Sequence, residues 1–202
     1  MDTITTKAIV NKTGVIQQCD IFKNVEFLEY AIENENSIEF SKITFPHVIV
    51  LTQACDLQQD HDTREKIRLQ DTVNQDKLLI SVIVAPIYNF EDFRLGTHLE
   101  QLGMKMQEHG QRQKSKCANI IKNETKRYHY LNIDDTIPIV ESVIDFKHYF
   151  SVTVNYLNSI YDANYVCSID LLYRELISQR FSFFLSRIGL PDSSSYCNEM
   201  NK

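Results

Sequence analysis

Residues 47–53, HVIVLTQ, and 78–86, LLISVIVAP, are the two segments on which the fold turns. Both are continuously apolar and rich in β-branched residues, as central strands covered on both faces are. They form the expected core pair. The stretch between them, DLQQDHDTREKIRLQDTVNQDK, is polar and accommodates one short solvated helix near Asp62 to Leu69. The chain leaves the core at TQACD, residues 52–56. An adjacent carboxylate opposes formation of a cysteine thiolate, so this junction predicts an inward-packed Cys55 and an Asp56 that bonds backbone amides and fixes a turn. Gln53 and Asp56 are the residues placed to contact a partner if a site borders the strand end.

Periodicity extends the strand assignment outward. CDIFKNVEFLEYAI (19–32) reads as a twisted or bulged strand, and SIEFSKI (37–43) alternates, with Ile38, Phe40 and Lys42 on one side. After Pro86, NFEDFRLGTHLEQLGMKMQ (89–107) places Phe90, Phe93, Leu99, Leu102 and Met106 at roughly helical spacing broken by Gly96 and Gly103, which predicts an inserted helical region over about 91–126. Strands resume with RYHYLNI (127–133), IPIVESVIDF (137–146) and YFSVTVNYL (149–157). A C-terminal helix follows over 169–188, with Ser168 as cap and Gly189 and Pro191 as stops, then a frayed tail at 191–202. One domain over 1–190 is expected, β-rich α+β in class.

Composition sets the outer limits. With 202 residues, 43% hydrophobic and 24% charged, the chain has enough apolar material for a core. Its apolar runs are far shorter than the roughly 20 residues that span a bilayer, and MDTITTKAIVNKTG has none of the features of a secretory signal. A cytoplasmic protein is expected. The cysteines at 19, 55, 117, 167 and 197 are an odd number without a C-x-x-C pair, which predicts free thiols and no zinc site. A net charge of −6 excludes a uniformly basic nucleic-acid-coating surface. Between Lys105 and Arg127, however, Lys105, Arg112, Lys114, Lys116, Lys122, Lys126 and Arg127 face only Glu108 and Glu124, a local route to RNA.

The order CDIF (19–22), FPHVIVLTQACD (45–56), LLISVIVAPIYNF (78–90) and VIDFKHYFSV (143–152) resembles the MazF/PemK family of small barrels, with VIVAPI the closest literal match. The resemblance covers about half the chain. It implies an SH3-like curved barrel with an inserted helical and basic region and a C-terminal helix, in a toxin–antitoxin or phage-defence setting with a protein partner or a homodimer. The family's phosphate-handling arginine before the proline and hydroxyl after "API" fall at Phe45 and Tyr88, and its opening glycine at Cys19, so that signature is not retained.

Candidate chemistry divides accordingly. A protein-binding barrel is the leading expectation, with Gln53, Asp56, Tyr128 and Tyr130 as binding residues and the apolar C-terminal helix, with Phe181, Phe183 and Phe184, as a partner face. The alternative is a metal-independent endoribonuclease for single-stranded RNA with a relocated site drawn from Arg64, Arg127, His129 and Asp56. KRYHY (126–130) interleaves cations with aromatics as base-stacking segments do, and as ordinary strands do too. Asp56, Asp60, His61 and Asp62 cluster acids with a histidine but match no metal-loop spacing, so no metal or other cofactor is expected.

Overall fold

The computed structural model describes residues 5–35, 37–70, 73–109, 114–134 and 136–186. The core pair is present, inside longer strands. β2 (Asp20–Asn34) and β3 (Ser37–Val50) form one long antiparallel ribbon, and β3 joins SIEFSKI to HVIV through Pro46 without a break. β4 (Ser81–Asn89) pairs β3 only at Val48–Val50 with Val84–Pro86. The other strands are β1 (Ala8–Ile9), β5 (Tyr128–Leu131), β6 (Ser142–Asp145), β7 (Phe150–Thr153) and β8 (Tyr165–Ile169). The order is β1-β8-β2-β3-β4-β6-β5, with β7 also on β4, and all these strand pairs are antiparallel. A bridge between Thr6 and Ile133 brings the two ends of that order together, so the sheet curls into a half-barrel.

Alternation along the central strands explains their unbroken hydrophobicity. Ile21, Ile49 and Ala85 point to one core with Phe181 and Phe184 of α5 (Leu171–Leu185). Phe22, Val48, Val50 and Val84 point to a second, with Leu57 of α1 (Ala54–Arg68) and Leu157 and Tyr161 of α4 (Val154–Asn164). Each central strand is therefore apolar on both faces. A third cluster sets α2 (Phe90–Leu95) and α3 (Lys114–Ile121) against Tyr130 and Val143. Within the inserted region a 3-10 turn spans Glu100–Leu102, and Gly96 and Gly103 end their helices with left-handed φ of 75° and 69°.

Three expectations are corrected. The chain becomes helical at Ala54, separated by residues 51–53 from the end of β3 at Val50, so Cys55 and Asp56 occupy an exposed first helical turn; Cys55 is not a packed thiol, and its Sγ lies 3.7 Å from Gln53 and Asp56. The carboxylate is favourable there against the helix dipole, and Gln53 is the N-cap without a side-chain bond. Second, YFSVTVNYL is strand only through Thr153, whose hydroxyl accepts from the Tyr156 amide and starts α4. Third, Ser168 caps no helix: it lies in β8, between β1 and β2, and Asp170 caps α5. The expected stops Gly189 and Pro191, the tail and Cys197 lie outside the described residues, as does Arg112.

Candidate functional site

The predicted catalytic residues occupy three separate settings. Arg64 projects from α1 and is engaged by Asp60 at 2.8 Å and the Leu79 carbonyl at 2.9 Å, while Asp60 also accepts from the Leu79 amide at 2.7 Å. This fastens α1 to the entry of β4 and turns Asp60 inward. His129, in β5, is buried beside Phe146 and Arg180. Burial, reinforced by the Arg180 charge, pulls its pKa down to about 3, so it stands as a neutral imidazole.

Arg127 is the member with a built environment. Its Nε and Nη2 donate to Oδ1 and Oδ2 of Asp145 at 2.8 and 2.6 Å, a bidentate pair on a carboxylate with no solvent exposure. The guanidinium lies 4.9 Å over the Tyr128 ring. Its hydrogen bonds to Asp145 hold its pKa above the ordinary arginine value. Asp145 also accepts from the Lys147 amide at 3.0 Å, which starts the 3-10 turn Phe146–His148 between β6 and β7. That turn brings His148 Nδ1 to 3.3 Å from Asp145 Oδ2 and 3.0 Å from the Tyr88 hydroxyl. The tyrosine hydroxyl can donate to Nδ1 or accept from it, according to the tautomer of the ring. Burial lowers the His148 pKa, with Asp145 opposing. Arg127, Asp145, His148 and Tyr88 thus form one polar chain across β5, β6 and β4. The sequence reading had Arg127 alone of these four; Asp145 and His148, three residues apart in VIDFKH, were the available signal for the others.

The predicted binding residues also find places. Tyr130 packs edge-on against Phe90 at 5.0 Å and Tyr128 against Phe93 at 4.9 Å, both toward the inserted helices. In the basic segment, Lys122 is exposed and Lys126 sits 4.4 Å over the exposed Phe183 ring. Arg180 donates to the carbonyls of Thr125 and Tyr128 at 2.8 and 2.7 Å and to that of Asn123, anchoring α5 to this segment. On α5, Phe181 and Phe184 are buried, whereas Leu172, Leu176 and Phe183 are exposed.

A second group of exposed apolar side chains lies elsewhere. Beyond the bulge at Leu28/Tyr30, the β2–β3 ribbon is exposed on both faces, and it carries Leu28, Tyr30, Ile32, Ile38 and Phe40 at 51–67% exposure. Register puts Leu28, Ala31, Ile38 and Phe40 on one face and Tyr30 and Ile32 on the other. Glu29, Glu33, Glu35 and Glu39 are interleaved with them and exposed. The ribbon is an apolar arm with acidic side chains interspersed on its faces.

Compared with protein-family models, curated proteins and solved structures, the chain matches none. Among the described residues no helix is long and apolar enough to cross a membrane, and no group of three or more histidine, cysteine or acidic side chains is placed to hold a metal ion.

Proposed function

We propose that this chain is a divergent barrel of the MazF/PemK kind, cytoplasmic, which acts by binding a protein partner in a toxin–antitoxin or phage-defence setting. The observation that carries the proposal is the β2–β3 arm. Five large apolar side chains stand exposed on a two-stranded ribbon that contributes nothing to either core beyond its base. Leu28, Ile38 and Phe40 share one face of the arm, and a two-stranded ribbon is marginally stable by itself in water, so a partner covering that face accounts for both features. Tying up Arg127 on Asp145 and burying a neutral His129 argue in the same direction, because neither group is left to handle a phosphate.

The test is a paired variant, Ile38→Lys with Phe40→Lys, at positions exposed enough to leave the cores untouched. From the protein's own cells the native chain recovers one partner in stoichiometric amount, and the variant, with unchanged circular dichroism and melting, loses it. Retention of that partner by the variant overturns the proposal. One observation favours a second function, cleavage of single-stranded RNA: His148 lies 3.3 Å from the buried carboxylate that holds Arg127, a grouping suited to acid–base chemistry. Cleavage abolished by His148→Ala and by Arg127→Ala would establish it.

A further inference from the structure

β3 and β4 pair only at 48–50 with 84–86, and beyond Pro86 β4 turns to pair β6 through Ile87–Asn89. Residues 43–47 of one strand and 87–89 of the other consequently wall an opening rather than a ladder. The opening is a cavity of about 340 Å³, with Phe45, Tyr88, Leu99 and Pro138 among its apolar walls and His98 among its polar ones. That volume lies at the small end of ligand-binding cavities.

Three independent features meet there. The outer edge of β3 from Ile38 to Phe45 pairs with no strand among the described residues, and it runs directly into the cavity. Pro46 lacks an amide hydrogen and ends that edge at the cavity wall. The His98 ring lines the cavity beside the rings of Tyr88 at 4.7 Å and Phe93 at 5.1 Å, and the Asp92 carbonyl is a hydrogen-bond partner for it. Burial lowers its pKa, with the Asp92 carbonyl opposing, so the neutral ring keeps one acceptor nitrogen beyond the N–H that faces Asp92. Finally, the arm is acidic: Glu33, Glu35 and Glu39 are exposed along it and Asp92 lines the cavity, while Lys42 is paired with Glu26 at 2.5 Å.

We infer that the partner adds an extended, basic segment to the outer edge of β3 between Ile38 and Phe45 and seats a tyrosine side chain in the cavity against His98. Main-chain bonds to the edge supply affinity and the cavity supplies specificity, as in other strand-addition complexes. A tyrosine suits the walls because its ring packs on apolar and aromatic surface while its hydroxyl donates to the imidazole nitrogen that Asp92 does not engage. Charge selects a different chain over a second copy, since two arms laid together would oppose the same glutamates. The inference rests on the arm being the docking surface.

The probes are nine-residue peptides alternating lysine and valine with tyrosine, phenylalanine or alanine at both ends, a glutamate-for-lysine counterpart of the tyrosine peptide, and a uridine nonamer. Titration calorimetry and amide resonances of the full chain are the readouts. The tyrosine peptide binds about tenfold tighter than the phenylalanine peptide, and His98→Phe removes that difference. Val140→Trp, at an exposed position lining the cavity, brings both down to the alanine peptide. All three lysine peptides shift amides within 38–45, and the glutamate peptide does not bind. Equal affinities for the three end residues, shifts confined to other segments, binding of the nonamer in place of the peptides, or no peptide binding overturn the inference. A homodimer in sedimentation that Phe40→Lys dissociates also overturns it. These failures are distinct from failure of the docking proposal, which is judged by whether Ile38→Lys with Phe40→Lys still holds the native partner.

Discussion

Asp20 opens β2 with a carboxylate that is 1% exposed, and its charge is a stability liability that a single substitution reveals. Oδ1 accepts from Ser168 of β8 at 2.5 Å and Oδ2 from the Gln17 amide at 2.8 Å, yet burial outweighs these bonds and raises the pKa from 3.8 to about 6. The folded state therefore holds a proton between pH 3.8 and 6 that the unfolded chain has released. For such an acid, stability is fully present below 3.8 and is lost as pH rises through 6. The separation of the two values corresponds to about 3 kcal/mol. Asp20→Asn keeps an oxygen for Gln17 and supplies an amide to Ser168 without the charge. Urea unfolding of both proteins at pH 3.5, 5 and 7 isolates the effect, because His129, which loses stability as pH falls from 6.5 toward about 3, is common to the two. The variant's stability relative to the parent rises by about 3 kcal/mol from pH 3.5 to pH 7. A difference constant across that range would refute a raised Asp20 pKa.

Other perturbations test the remaining contacts. Asp145→Ala leaves Arg127 without its bidentate partner and removes the start of the 3-10 turn, at a cost of about 3–5 kcal/mol in urea unfolding. Arg180→Ala frees the carbonyls of Asn123, Thr125 and Tyr128 and costs about 2–4 kcal/mol, with faster amide exchange in 123–128. Phe22→Ala, at a fully buried ring set edge-on to Tyr161 and Tyr165, costs about 3–5 kcal/mol by thermal unfolding. Single-stranded RNA incubated with the purified protein stays intact on gels; cleavage lost on Arg127→Ala would favour the ribonuclease instead.

The central strands were legible because their two-sided burial writes a continuous apolar run, and Ile38 and Phe40 alternated visibly. That one ribbon joined these segments through Pro46 was not, since a proline at an edge breaks no pairing but looks like a boundary. The start of α1 lacked a capping side chain at Gln53, so only tertiary packing of Leu57 and Asp60 marks it. YFSVTVNYL hides a strand-to-helix switch because Val152, Val154 and Leu157 serve one core from both elements. β8 was obscured because YVCSI directly abuts helices at both ends. The site was less legible than the fold. Tyr88 lies 57 residues before Asp145 and 60 before His148, and the pairing of β4 with β6 and β7 brings them together. Exposure of the arm is a property of where the sheet ends, which alternation alone does not encode.

Site-specific photo-cross-linking in living cells tests the central claim most directly. A benzophenone side chain at position 32 or 38 of the arm captures one discrete partner protein, while the same group at Lys77, equally exposed but away from the arm, captures none. Equal labelling from all three positions, or no protein adduct from the arm, would contradict a docking role for the β2–β3 ribbon.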